Sequence, residues 1–150
     1  MKQDDKELLR KDLCARLPYG VKCFHPYGVG ELDSIDVEDY GIDVTFKTSD
    51  DNYYSIEECK PYLRPMSSMT EKEFLYFMGV RGMNFKSHEI QEMMSEYFTN
   101  PNSMAIVITL GRYYHNMDWL NENMFDYRGL IEKGLALEAP AGMYNKEDKQ

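Results

Sequence analysis

LPYGVKCFHPYGVGELDSIDVEDYGIDVTFKTSDDNYYSIEECKPYLRP, residues 17–65, is a run of short apolar segments broken by turn residues. Gly20–Phe24 reads as a first strand, and His25, Pro26, Tyr27 and Gly28 turn the chain. Val29–Val37 is a second strand, in which Val29, Ile35 and Val37 partly alternate with acidic residues. Asp39, Tyr40 and Gly41 turn again. Ile42, Val44 and Phe46 then alternate with Asp43, Thr45 and Lys47, the clearest period-two pattern in the chain. A polar turn at Ser49–Asn52 precedes a fourth strand, Tyr53–Ile56. Glu57–Lys60 makes one tight turn before a closing strand, Tyr62–Arg64. This outline predicts a small SH3-like five-stranded barrel, with an open meander packed on the preceding helix as the alternative.

The flanks are helical. Leu9, Leu13 and Leu17 recur every four residues, with Leu8 beside them, so Asp4–Arg16 reads as a helix with one apolar face. Pro18 ends it. Its Lys6, Arg10, Lys11 and Arg16, interleaved with Asp4, Asp5, Glu7 and Asp12, read as a mixed, solvated face. Beyond the barrel, Thr70 and Glu73 have the spacing of a capping box, with Met69 and Phe74 placed as a hydrophobic staple. Gly79 and Gly82 stop that helix. Ser87 is expected to cap the next, whose Ile90, Met93, Met94, Tyr97 and Phe98 share a face until Asn100 and Pro101 end it. Ala105–Leu110 suits a short buried strand or a helix. Tyr113–Met124 reads as a helix with Tyr113, Met117, Leu120 and Met124 on one side. Asp126 is placed to cap a further turn through Leu130 and Ile131, closed by Gly134. The expected organisation is α+β: one compact domain over 1–150, with the barrel at 17–65, a helical part at 66–144 packed on it, and a frayed tail at 145–150.

Bulk properties narrow the function. At 43% hydrophobic and 13% aromatic residues, the chain can fill a core. Twelve Tyr stand against one Trp; Tyr buries a ring while keeping a polar tip wet, which suits thin sheets and interfaces alike. The net charge of −9, without a Lys/Arg cluster, disfavours direct nucleic-acid binding. Three Cys at wide spacing (Cys14, Cys23, Cys59) do not make a disulfide framework, and reduced thiols fit a cytoplasmic protein. The first residues, MKQDDKELLRKD, lack the apolar core of a signal peptide, and no run approaches the length of a membrane span.

Chemistry-bearing motifs are sparse. His88 and Glu92 stand one helical turn apart, but a zincin pattern needs a second His at position 92, so a solvated first turn explains them better. His25 and His115 have no partner spacing, and Cys23 and Cys59 fall in or beside strands, as buried small hydrophobes do. Gly28-Val29-Gly30 lacks the third glycine and the following helix of a phosphate loop. Asp36, Glu38 and Asp39, like Asp50 and Asp51, lack calcium-loop spacing. No catalytic residue, metal ligand or cofactor site is expected.

Three blocks carry a resemblance: Asp12–Lys22 (DLCARLPYGVK), Pro61–Glu71 (PYLRPMSSMTE) and Trp119–Pro140 (WLNENMFDYRGLIEKGLALEAP). Together they cover about a third of the chain, and nothing between Gly79 and Asp118 belongs to them. On these blocks the chain resembles a group of short uncharacterised proteins carried by prophages and mobile elements of gut Bacteroidales-type bacteria. The resemblance implies a phage-linked origin in a bacterial host. It implies no activity.

The expected function is therefore non-catalytic binding of a host or phage protein. Tyr27, Tyr40, Tyr53, Tyr54 and Tyr62, with Tyr19 beside them, are the candidate contact residues, as an aromatic groove for a Pro-rich or extended peptide. Alternation sends one of Tyr53 and Tyr54 to the core. An acidic inhibitor of a bacterial defence system, acting as a nucleic-acid mimic or nucleotide sponge, is the second expectation, and charge gathered on one face would mark it. An enzyme would have to use Cys59, His25 and the carboxylates. A homodimer would require an exposed Met93/Met94 face.

Overall fold

The computed structural model describes residues 1–47, 52–79, 84–100 and 113–145. Its elements are α1 (Gln3–Arg16), β1 (Lys22–His25), β2 (Gly28–Glu38), β3 (Gly41–Phe46), β4 (Tyr54–Ser55), β5 (Lys60–Leu63), α2 (Glu71–Met78), α3 (Ser87–Thr99), α4 (Tyr113–Glu122) and β6 (Leu137–Glu138). The fold is α+β, and the chain divides into two compact units, 1–64 with 121–150, and 65–120. The expected strand or helix at Ala105–Leu110, the stop at Gly82 and the carboxylates Asp50 and Asp51 lie outside the described residues.

The first unit holds a six-stranded sheet in the order β4-β3-β2-β1-β5-β6. All neighbours are antiparallel except β5 and β6, which pair in parallel through Tyr62–Leu137 and Leu63–Glu138. The sheet is open, so the barrel does not close and the meander describes it. Two local causes are visible. β4 lasts two residues before Ser55 accepts from the Glu57 amide and winds Ile56–Glu58 into a 3-10 turn. The edge of β5 that would close a barrel is already occupied by β6.

The core lies under this sheet. Ile42, Val44 and Phe46 of β3 point inward as their alternation requires, joining Leu9 and Leu13 of α1, Val21, Cys23, Leu32, Ile56 and Leu63. β2 departs from expectation: Val29 and Val37 are exposed, while Gly30 and Leu32 are buried. A register shift between Leu32 and Ser34 moves the following residues by one place, which breaks simple alternation. Gly30 is required by contact. A Cβ there would stand 2.9 Å from the Cβ of Phe46, whose ring lies across the strand.

The solvated face expected on α1 is wrong at two positions. Asp12 and Arg16 are completely buried and joined by two hydrogen bonds, Arg16 Nε to Oδ2 at 2.8 Å and Nη2 to Oδ1 at 3.0 Å. Arg16 Nη2 also donates to the Phe125 carbonyl at 2.8 Å, and its guanidinium lies 5.4 Å from the Tyr127 ring centre. Arg128 brings its Nε to 3.3 Å from Asp12 Oδ1. Asp12 thus ties α1 to the returning chain, and only the outer charges, such as Glu7 with Arg10, behave as expected. Asp126 fixes that chain further by accepting from the amides of Leu130 and Ile131, which form a turn rather than a helix. The backbone of Arg64 both donates to Met124 and accepts from Asp126, so the chain leaves this unit and re-enters it at adjoining points.

The second unit is helical. The capping box of α2 is formed in both directions, and Gly79 closes the helix in the left-handed region at φ 69°. Ser87 does not cap α3. Glu89 reaches back to the Lys86 amide instead, and the Ser87 hydroxyl donates to Glu71 on α2 at 2.6 Å. Among the described residues, Met69, Phe74, Phe77, Ile90, Met94, Tyr97 and Leu120 are its buried apolar ones, and the Asn116 side chain is buried with them. Edge-on rings of Phe74 and Phe77 against Tyr97 occupy the centre. Met94 is part of this core and Met93 is half-buried, so the methionines line the inside of the unit.

Candidate functional site

The turn between β1 and β2 lifts Tyr27 into solvent, where it is 84% exposed. The strand before it ends in His25, which is buried although it enters a turn. His25 stacks on Phe46 with ring centres 4.5 Å apart and meets Tyr54 at 4.9 Å; Phe46 and Tyr54 are 5.6 Å apart. The Tyr27 amide donates to His25 Nδ1 at 3.4 Å, which ties the exposed tip to the buried stack. Tyr54 then bridges inside and outside: its ring also meets that of Tyr27, with centres 6.1 Å apart and planes inclined by 56°.

Around this pair lies a hollow of about 630 Å³, lined by Pro26, Tyr27, Asn52, Tyr53, Tyr54 and Glu58. Tyr53, just before β4, is 66% exposed and Tyr54 is half-buried, the division expected of adjacent residues in extended chain. Glu58 reaches the hollow because the 3-10 turn after β4 places it there. Its neighbour Glu57 is occupied: Lys6 at 3.1 Å and the N-terminal amine at 3.8 Å hold that carboxyl below the usual carboxylate range. Glu58 is exposed and forms no ion pair among the described residues.

Three of the five candidate tyrosines, Tyr27, Tyr53 and Tyr54, therefore meet. Tyr40 does not join them; it is fully outward at the β2–β3 turn, the opposite end of an eleven-residue strand. Tyr62 is half-buried in β5, where its carbonyl accepts from the Tyr144 hydroxyl at 2.9 Å. Tyr19 lines a second hollow of about 510 Å³ with Lys22, Glu31, Arg64 and Tyr144. That hollow is braced internally: Lys22 donates to the Met143 carbonyl, and burial pushes the Tyr144 hydroxyl above its ordinary range. Pro26, Asn52 and Glu58 line the first hollow without having been attached to the tyrosines by sequence reading, and His25 packs behind it against Tyr54.

The two buried thiols, Cys23 and Cys59, are poorly placed for nucleophilic work. Burial pushes Cys23 well above the usual thiol range and Cys59 up to about 12, so both stay protonated near neutrality. His25 is engaged with Phe46 and Tyr54. His88 and Glu92 are both exposed on α3. Among the described residues no group of three or more His, Cys, Asp or Glu can hold a metal ion, and no helix is long and apolar enough to cross a membrane. The His115 side chain and that of Tyr113 lie outside the described residues.

No family model matches the chain, and no curated protein or solved structure is similar to it at a significant level.

Proposed function

We propose that this chain is a non-catalytic binding protein that engages a protein partner through the tyrosine hollow of its first unit. One observation carries the reading. Three tyrosines of graded exposure converge on one hollow, and the packed His25–Phe46 pair holds the Tyr54 ring in place before a ligand arrives. Rigid Tyr rings offer large contact area at low entropy cost. The finer fold assignment belongs to the same reading. The order β4-β3-β2-β1-β5, with a 3-10 turn between β4 and β5, supports an SH3-like unit that has opened and accepted β6. The resemblance of Asp12–Lys22, Pro61–Glu71 and Trp119–Pro140 supports a phage or mobile-element setting, in the cytoplasm of a bacterial host.

The test is capture of a partner from host lysate by the tagged protein, in parallel with Tyr27→Ala/Tyr53→Ala. A protein retained by the parent and lost from the variant is the expected result. Equal retention by both refutes the tyrosine reading.

A second reading, an acidic mimic that occupies a basic anti-phage protein, draws on the β2–β3 hairpin. Asp36 and Asp43 stand directly opposite each other, with Glu38 and exposed Asp39 beyond. Like charges so placed repel, which costs stability. Loss of partner capture on Asp36→Asn/Asp43→Asn, with the tyrosines intact, would favour this reading over the first.

A further inference from the structure

Among the described residues that line the tyrosine hollow, Glu58 is the charged one, and it constrains the ligand. Glu58 lines the hollow beside Tyr27, Tyr53 and Tyr54 and has no ion-pair partner among the described residues. An apolar side chain or a proline ring seated there would strip water from the carboxylate and return nothing, an unfavourable exchange. A cation would pair with it. The rings favour the same choice. A cation is attracted to an aromatic face within about 6 Å of its centre. The Tyr27 and Tyr54 centres are 6.1 Å apart and their planes are inclined by 56°, so one cation seated in that angle lies in range of both. The net charge of −9 draws a cationic segment towards the surface.

We propose that this hollow is a receptor for an arginine side chain presented by an extended segment of the partner protein. Guanidinium is the better fit than ammonium because it is planar, stacks on rings, sheds water more readily and can meet a carboxylate with two parallel hydrogen bonds. Glu58 accepts those bonds, while Tyr27, Tyr53 and Tyr54 form the ledge on which the guanidinium lies. This assignment rests on the binding reading above and names its chemistry.

The test follows tyrosine ring resonances of the full chain by NMR during titration with three neutral-capped probes: acetyl-arginine amide, acetyl-citrulline amide and acetyl-lysine amide. Citrulline keeps the shape of arginine without its charge. Arginine is expected to shift the Tyr27 and Tyr53 rings, with citrulline silent and lysine weaker. Glu58→Gln should weaken the arginine response about twofold to fivefold, the scale of an exposed charge pair. Equal shifts from citrulline and arginine overturn the cation assignment. Equal shifts from lysine overturn the guanidinium preference. No shift from any probe, or an unchanged response in Glu58→Gln, overturns the site. Lysate capture separates this from the broader reading: a partner lost from Tyr27→Ala/Tyr53→Ala but kept by Glu58→Gln leaves protein binding standing and removes the arginine.

Discussion

Replacing Asp12 with alanine removes one carboxylate and strands the guanidinium of Arg16. Arg16 is completely buried, and its Nη1 already lacks a hydrogen-bond partner. Without Asp12 it keeps the Phe125 carbonyl at 2.8 Å and the face of Tyr127, neither of which carries a charge. Breaking a buried pair from one side costs about 3–5 kcal/mol, because the remaining ion is neither solvated nor paired. The lower end applies here, since Arg128 is 26% exposed and can turn its own charge to water. With a urea dependence of about 2 kcal/mol per molar, a loss of about 3 kcal/mol lowers the midpoint by about 1.5 M. Far-UV circular dichroism reads the transition, and fluorescence of Trp119, which lies in the second unit, serves as an internal reference. Glu7→Ala is the control. It breaks an ion pair on the outer side of the same helix, where both side chains have water to replace it, and it should leave the midpoint in place. Asp12→Leu/Arg16→Met should recover most of the loss, because an apolar pair leaves no unpaired charge. Equal shifts for Asp12→Ala and Glu7→Ala refute the burial argument. So does a double variant whose loss equals the sum of the single ones.

Gly30→Ala should destabilise the first unit by about 1–3 kcal/mol through overpacking against Phe46, whereas Gly41→Ala, which meets open space, should cost far less; urea midpoints compare them. Thiol labelling near pH 8 should modify exposed Cys14 quickly and reach Cys23 and Cys59 only on unfolding, read by mass spectrometry. Burial raises Cys59 from its ordinary 9.0 to about 12, so the folded state favours the protonated thiol. That contribution is complete below pH 9 and is lost as pH rises towards 12, and urea midpoints taken across that window should fall. Thr70→Ala removes one half of the α2 capping box and should cost the second unit about 1 kcal/mol, detected at Trp119.

Local signals were legible wherever a rule operates within a few residues. The alternation at Ile42, Val44 and Phe46 gave β3 and its inward face, and the Thr70–Glu73 spacing gave the start of α2. The inward turn of one tyrosine at positions 53 and 54 followed from the same rule. What failed depends on distant parts of the chain. β6 is two residues long and has no period to detect; it exists because Leu137 and Glu138 return beside β5. Val29 faces solvent because Gly30 and Leu32 take the inward positions of that stretch, and Val37 is exposed at the hairpin end although it stands opposite buried Ile42. Asp12 and Arg16 have the same i,i+4 spacing as a surface pair. Their clue was position: each follows Leu9 or Leu13 by three residues and so borders the apolar stripe. The site was half readable. Exposed Tyr27 and Tyr53 stood out by residue type, but Glu58 is one of twenty-six acidic residues, and only folding shows which one joins the rings.

The hydrogen bonds that join Arg64 to Met124 and Asp126 have a consequence for how this chain can vary. They hold the exit and re-entry points of the first unit against each other, at 2.7 and 2.8 Å. Whatever lies between is a closed excursion, and the entropy of closing it grows only slowly with its length. A change in the length of chain between them therefore costs the closing bonds themselves little. The residues that line the tyrosine hollow all precede the excursion, so an insertion within it leaves their sequence intact.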